Sequence, residues 1–249
     1  MHRFYVAPAN WDPRGLALRG SEAHHARNVL RMQAGDKLVL FNGRGRELTA
    51  EIANVGDHEI QLRKLHESET APLRCRIVLG QAIPKGKNMD LIVQKAVEIG
   101  AAEIEPIISD RTVVQVDSET AAQKQSKWQQ IAIEAAKQCG QNWLPRVHAP
   151  RKLAEFFSGL EQSFDLRLIG SLQPDAQHLK KILETHWNER GDRPRSVLML
   201  VGPEGDFTPA ELGLARHYGC QPITLGPIIL RVETAAIYCL SVLSYELLI

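Results

Sequence analysis

Two segments near the C-terminus constrain this chain more than any other part of it: Val201-Gly202-Pro203-Glu204-Gly205-Asp206-Phe207 and Leu225-Gly226-Pro227-Ile228-Ile229-Leu230-Arg231-Val232-Glu233-Thr234-Ala235-Ala236. Each follows an apolar run of strand character, and each leads into a stretch of helix character. Two strand ends that open into Gly/Pro loops before helices describe a ligand crevice at the carboxyl edge of a parallel sheet. The glycines let backbone approach a ligand closely, and the prolines stiffen the loops.

The rest of the chain divides by rhythm. Up to Pro72 short strands dominate: Arg3 to Ala7, Lys37 to Phe41, Glu47 to Ala53 and Glu59 to Leu65. A helix from Ser21, its cap, to about Arg31 interrupts them. Asn42-Gly43 is a strong hairpin signal. This pattern predicts a small β-barrel over residues 1–71, ending in a polar linker at Glu67, Ser68, Glu69 and Thr70.

Residues 72–249 read as alternating strands and helices. Strands are expected at Cys75–Gln81, Ile104–Ser109, Leu166–Ile169, Ser196–Val201 and Pro222–Leu225. Helices are expected at Met89–Ile99, Glu119–Cys139, Ala176–Glu189, Pro209–Tyr218 and Val232–Leu248. Gly100, Gly140 and Gly219 fall at helix C-caps, and Thr208, Pro209 and Glu211 form an N-terminal capping set. Such alternation implies an α/β domain whose parallel sheet is covered on both faces. The last helix is almost wholly apolar from Ala235 to Ile249. Burial against a second subunit and burial within the same subunit explain it equally well.

Composition removes several function classes. Thirty Lys and Arg against 29 Asp and Glu give a net charge of +1, so overall charge is no argument for nucleic-acid binding. The four cysteines, Cys75, Cys139, Cys220 and Cys239, are scattered without a CxxC pair, and the histidines lack metal-ligand spacing. Free thiols and no metal are therefore expected. There is no P-loop, HExxH or GxSxG motif, and Gly43-Arg44-Gly45 is only half a dinucleotide fingerprint. The start lacks a signal-peptide pattern and no apolar run spans a bilayer, so a cytoplasmic protein is expected.

One ordered set of segments resembles a known family. Pro84-Lys85-Gly86-Lys87-Asn88-Met89-Asp90, Gln94 to Gly100, Ser109-Asp110-Arg111-Thr112-Val113-Val114, Glu134-Ala135-Ala136 and Gln138-Cys139-Gly140 lead to the two C-terminal loops. Together they are similar to the RsmE family, the 16S ribosomal RNA uridine N3-methyltransferases of the SPOUT superfamily. His24 to Arg31 resembles the N-terminal domain of that family. The resemblance implies a C-terminal SPOUT domain with a deep trefoil knot, which topological rules alone would have excluded. It implies a PUA-like RNA-binding domain at 1–71, and cofactor binding, catalysis and dimerisation at 72–249. The implied cofactor is S-adenosylmethionine, the implied partners are 16S ribosomal RNA or the small ribosomal subunit and a second copy of the chain, and the implied target is uridine 1498.

Residue by residue, the resemblance marks Gly202, Pro203, Glu204, Gly205, Leu225, Gly226, Pro227, Ile229 and Leu230 for the cofactor. Tight turns and core aliphatics are the structural alternative, Ile229 in particular being a possible core residue. Arg231 is the principal catalytic candidate, aimed at a uracil carbonyl or a phosphate; Glu204 and Glu233 are further candidates. Lys85, Lys87, Arg3, Arg27 and Arg31 are the candidate RNA contacts, with Arg27 and Arg31 placed on one helix face by their spacing. Trp128 and Trp143 read as core or interface, and His24 and His25 as packing or surface residues.

The chain also departs from the family. Asp206 stands where a second glycine is usual, Ile228 where an arginine is usual, Val232 for threonine, Lys137 for an acid and Gln141 for arginine. These departures keep two other functions open: a catalytically weak SPOUT-like factor that binds ribosomal RNA during assembly, and a methyltransferase acting on a different RNA uridine.

Overall fold

The computed structural model describes residues 1–12, 15–112, 117–160 and 163–248. Val113 and Val114 of the quoted motif, and Ile249, lie outside them. Two compact units result: Met1–Pro72 with Ile133–Leu144, and Leu73–Ala132 with Pro145–Ile249.

The first unit holds β1 (His2–Tyr5), β2 (Ala17–Arg19), α1 (Gly20–His24), β3 (Lys37–Phe41), β4 (Arg46–Val55) and β5 (Glu59–Glu69). They form a five-stranded sheet in the order β1-β3-β4-β5-β2. Only the β1–β3 pair is parallel. Strict alternation along β4 sends Leu48, Ala50 and Ile52 into the core with Phe4, Leu18, Leu38, Leu40 and Ile60. The Asn42-Gly43 turn forms as expected. Asn42 is buried, and its Oδ1 accepts the backbone N–H groups of Arg44 and Arg46.

Two expectations fail here. Glu67, Ser68 and Glu69 are not linker: they continue β5 and pair with Leu48, Glu47 and Arg46. Exposed polar residues suit the open face of an antiparallel edge as well as they suit a loop, so composition could not separate the two. The helix expected from Ser21 to Arg31 starts at Gly20 without a side-chain cap, turns π-helical over His25–Val29, and stops before Arg31, whose φ is +54°. The π turn breaks the four-residue spacing, so Arg27 and Arg31 do not share a regular helix face.

The second unit contains β6 (Arg76–Ala82), α2 (Asn88–Ile99), β7 (Glu103–Ile108), α3 (Ser118–Cys139, whose last turns fall in the first unit), β8 (Arg146–Val147), β9 (Arg151–Lys152), α4 (Leu153–Ser158), β10 (Leu166–Gly170), β11 (Gln177–His178), α5 (Leu179–Arg190), β12 (Ser196–Val201), α6 (Pro209–His217), β13 (Gln221–Thr224) and α7 (Val232–Leu247). The sheet runs β11-β13-β10-β12-β6-β7-β8, with β9 also on β7, and every pair is parallel. β6 and β12 are apolar on both faces, as a sheet covered on both sides requires. Leu198 and Leu200 pack with Phe156 and Phe157 of α4 and Leu212 and Ala215 of α6. The helix α7 packs against α2, β6 and β12. Among the described residues no helix is long and apolar enough to cross a membrane.

The expected helix ends hold where chemistry fixed them. Gly100 closes α2 in the left-handed conformation with φ +96°. Thr208 and Glu211 form a reciprocal capping box on α6, with Pro209 in its first turn.

Gly45, which carries no dinucleotide signal, has a structural reason to be glycine. Its φ is +87°, and a Cβ there would meet the Thr70 carbonyl oxygen at 2.6 Å and the Trp143 ring at 2.9 Å. Gly45→Ala should destabilise the first unit by about 1–3 kcal/mol, through backbone crowding and the unfavourable φ together. Urea unfolding followed by Trp fluorescence measures it; a change below a few tenths of a kcal/mol would show that the turn relaxes freely.

Candidate functional site

Parallel pairing of β13 with β10 and of β10 with β12 brings three strand ends side by side. The loops that leave them enclose a cavity of about 270 Å³. From β12 come Gly202, Pro203, Glu204, Gly205 and Asp206; from β13 come Leu225, Gly226, Ile228, Ile229, Leu230 and Arg231. A third wall comes from β10: Gly170, Ser171 and Leu172. This geometry places a ligand at strand carboxyl ends, where backbone N–H and C=O groups are not consumed by the sheet.

The structure gathers eight of the nine expected cofactor residues around this cavity; Pro227 does not line it. Ile229 is 76% exposed, which removes the reading of it as core, and Ile228 is 73% exposed. Leu172, Ile228 and Ile229 thus give the cavity an apolar rim suited to covering a flat ring. Gly226 has φ +110°, and a Cβ added there would meet no atom within 4 Å, so its role is conformational freedom in an open loop.

The catalytic candidates are placed differently from one another. Arg231 lines the cavity and is exposed, and its side chain makes no hydrogen bond or ion pair among the described residues. It occupies the N-cap position of α7. A cation at the positive end of a helix gains nothing from the helix dipole, so helix stability does not account for it. Glu204 lines the cavity too, but its Oε1 accepts the backbone N–H of Lys85 at 3.1 Å. Glu233 is outside the lining, and its Oε2 accepts from Asn88 Nδ2 at 3.1 Å. Glu204 thus ties the Pro84–Asn88 segment to the loop after β12, and Glu233 ties it to the first turn of α7. That segment presents Lys85 and Lys87, both exposed and without a side-chain partner among the described residues.

The candidate RNA residues of the first unit divide. Arg3 is internal: its guanidinium donates to Glu47 at 2.7 Å and to Asn142 at 2.5 Å, and it lies 5.1 Å from the Phe41 ring centre. With its side chain only 14% exposed, it is a structural ion pair and is withdrawn as an RNA contact. Arg27 donates to the carbonyls of Gly56 and Asp57 and to Asn28, holding a turn. Arg31 is exposed and without a partner among the described residues. Trp128 is buried with its indole N–H on Asp90, and the Trp143 indole donates to the Thr70 carbonyl. Both are structural. His24 is exposed, and His25 meets the Phe4 ring edge-on.

Sequence reasoning missed the β10 wall and the role of Arg111, and it placed Asp206 in a crevice loop without a role of its own. The guanidinium of Arg111 donates to the Gly205 carbonyl and, at 3.4 Å, to that of Asp206. The only sequence signal for the third wall was Gly170-Ser171 after an apolar run.

Two other features are set apart from the crevice by their chemistry. Glu103, Glu105 and His148 stand close enough to share an ion. Arg76 already pairs with Glu103 at 2.9 Å, and Arg151 with Glu105 at 3.0 Å. A hydrogen bond from His148 holds the Glu103 carboxyl below its usual range, helped by Arg76 and against burial. Burial, the larger influence on Glu105, pushes that carboxyl up despite His148 and Arg151. The two carboxylates shift in opposite directions because Glu105 is the more deeply buried. With two arginines compensating two carboxylates, the cluster is an ion-pair network joining β7 to the segments that follow β8. A larger hollow of about 510 Å³ lies between α5 and the end of α7, lined by Lys180, Trp187, Arg193 and Glu246 among others. Arg193 and Pro194 in its lining lead into the amino end of β12, the end opposite to the one that carries the crevice loop.

Comparison with known proteins matches this architecture. Residues 71–244 fit the RNA methyltransferase domain and residues 18–65 the RNA methyltransferase PUA domain. The fold and crevice are thus those of an RNA methyltransferase carrying a PUA domain. Ribosomal RNA small subunit methyltransferase E of Bacillus subtilis is 31% identical over 93% of this chain and 90% of its own length. The solved Neisseria gonorrhoeae ribosomal RNA small subunit methyltransferase E, bound to S-adenosyl methionine, superposes with a TM-score of 0.83 at 31% identity, covering 99% of this chain and 98% of that one. A Legionella pneumophila protein solved with bound SAM gives 0.84 at 36% identity over 98% and 97%. The chain belongs to the ribosomal RNA small subunit methyltransferase E family.

Proposed function

We propose that this protein transfers a methyl group from S-adenosylmethionine to N3 of a uridine in 16S ribosomal RNA. The observation that carries the reading is the crevice itself: three loops at adjacent strand ends, lined by the family's Gly-Pro-Glu-Gly and Leu-Gly segments, with Arg231 in the lining and unpaired among the described residues. Relatives of the same fold hold the cofactor. The cavity suits an adenosine moiety, with Leu172, Ile229 and Leu230 against the purine and backbone groups of the Gly202–Gly205 and Leu225–Gly226 loops on its polar edge.

The chemistry sets the remaining requirements. N3 of uracil is engaged in pairing within a duplex, so the base must be unpaired or flipped out. Its N–H is weakly acidic, and loss of the proton spreads negative charge onto the flanking carbonyl oxygens. Arg231 is the group suited to stabilise that charge, because its donors are unengaged and it stands at the cavity. Binding supplies the rest by holding the methyl donor in line with N3. No step in this scheme calls for a metal. Lys85 and Lys87 extend the cationic surface beside Arg231 and are proposed to hold backbone phosphates. On the PUA domain, over residues 1–71, Arg31 is the retained RNA contact, with Arg27 shaping the turn beside it. A knotted threading of the crevice loops and a cytoplasmic location belong to the same reading.

A homodimer is part of the proposal. Val232, Ala236, Cys239, Leu240, Leu243 and Leu247 of α7 are buried within the chain. That leaves Thr234, Tyr238, Ser241 and Tyr245 as one exposed stripe, with Tyr238 49% and Tyr245 71% exposed. Two tyrosines on an otherwise weakly polar face fit a protein contact better than they fit solvent. Light scattering at micromolar concentration should give twice the chain mass, and Tyr238→Lys with Tyr245→Lys should return the monomer. A wild-type monomer would remove the dimer.

Gly226→Trp should abolish S-adenosylmethionine binding in titration calorimetry, since the indole would fill the loop that receives the adenine. Unchanged affinity would move the cofactor elsewhere.

Arg231→Ala should lower single-turnover methylation of small subunits by roughly a hundredfold, about 3 kcal/mol of transition-state stabilisation. Cofactor affinity should hardly change. Lysine at this position should rescue only in part, for lack of the planar fork. Normal turnover would make Arg231 a bystander, and a collapse of cofactor binding would make it a cofactor residue. Cofactor binding without any turnover in the wild-type protein would favour the assembly-factor reading, and methylation mapped to another RNA would change the substrate.

A further inference from the structure

We propose that Asp206 is a positioning residue for the cofactor crevice: its carboxylate clamps the loop after β12 to the turn after β10 and so sets the distance between two of the crevice walls. The inference rests on the reading of the crevice as the S-adenosylmethionine site.

The backbone at this point favours glycine. Gly205 has φ +88° and Asp206 has φ +69°, two successive residues in the left-handed region. An L-residue is strained in that conformation, although aspartate and asparagine tolerate it better than most. A side chain kept there needs an occupation that glycine cannot supply. Asp206 has two. Its Oδ1 accepts the N–H of Phe207 at 2.8 Å, a local bond within the loop. Its Oδ2 accepts the N–H of Leu172 at 3.2 Å, a bond that crosses from one crevice loop to the next. Both acceptors are oxygens of one side chain, which therefore serves N–H groups in two different loops.

The rest of the loop is built to support the clamp. The Asp206 N–H donates to the Pro203 carbonyl at 3.1 Å and closes the turn. From the other side Arg111 donates to the carbonyls of Gly205 and Asp206. The turn after β10 is fixed in its own right: the Ser171 N–H donates to the Ile223 carbonyl at 3.0 Å, and Ser171 Oγ accepts from Gln173 N–H at 3.2 Å. Leu172 and Asp206 both line the cavity, so the hydrogen bond between them is one of its dimensions. Without it, the two loops remain attached to their strands but lose this direct connection at the cavity.

Two substitutions separate this role from a merely structural one. Asp206→Gly removes the clamp while relieving the left-handed φ. Asp206→Asn tolerates the φ but keeps only one side-chain oxygen to accept, so only one of the two N–H partners can be served. Titration calorimetry with S-adenosylmethionine should show a Kd about tenfold weaker for Asp206→Gly and roughly threefold weaker for Asp206→Asn. The melting temperature of Asp206→Gly should match that of the wild type, because relief of the left-handed φ offsets the lost hydrogen bonds. In turnover assays the KM for the cofactor should rise in the same order, with kcat at saturating cofactor retained. Wild-type affinity in both variants would overturn the clamp and leave the cofactor reading standing. Weaker binding that runs with a lowered melting temperature would overturn it in favour of a general structural role. A wild-type protein that does not bind S-adenosylmethionine would overturn the cofactor reading itself, and the clamp with it.

Discussion

The parallel pairing of β13, β10 and β12 is the constraint on which the rest depends. Parallel strands present their carboxyl ends on one edge, and three adjacent ends deliver three loops to one place. Their neighbours β6 and β7 extend the same sheet, and β6 sends the Pro84–Asn88 segment to that edge as well. The sheet can be parallel because it is covered on both sides, by α7 and α2 on one and by α4 and α6 on the other. The apolar character of β12, which looks like simple core, is therefore what fixes the strand whose end carries the Gly202–Asp206 wall of the crevice.

Most of this sheet was legible in the sequence because its signals are local and strong. Ser196–Val201 is a continuous apolar run between polar ends, and its strand has the expected bounds. Gly100 and Thr208 mark helix ends through chemistry that acts over a few residues. The two-residue strands β8 and β9, and the six-residue α4, were missed because periodicity needs more length than they have. The π turn at His25–Val29 was missed because the same residues fit an α-helix by composition. The tail of β5 was missed because its partners are in β4, and cross-strand pairing leaves no trace in the polar residues themselves.

The site shows the same division. The glycine-rich loops were visible, since Gly202, Gly205 and Gly226 announce backbone conformations. The β10 wall was not, because Ser171 and Leu172 carry no distinctive chemistry and matter only through their place beside β12 and β13. Glu204 and Glu233 look like catalytic acids in the sequence. The structure gives them hydrogen-bond partners, Lys85 N–H and Asn88, that make them braces for a neighbouring segment. Arg3 failed in the opposite sense: an arginine near the N-terminus reads as surface, but Glu47 and Asn142 hold it inside. Partners distant in sequence decide each of these cases.

Net charge illustrates how a true statement about composition can mislead about function. The chain is nearly neutral, yet its charges are unevenly paired. Arg76, Lys95, Lys127 and Arg151 of the second unit each lie against a carboxylate, and so do Arg3, Arg63 and Lys137 of the first. Such pairs cancel at short range and project little field into solvent. Lys85, Lys87 and Arg231 have no such partner among the described residues, and Glu204 and Glu233 make hydrogen bonds to N–H groups instead. Under the proposed RNA reading, the donors of Lys85, Lys87 and Arg231 are the ones available to phosphate and base oxygens. For the proposed ligand, which must present one base to a cavity while its phosphates stay outside, Arg231 in the lining and the lysines of the segment that Glu204 braces matter more than the sum over the whole chain.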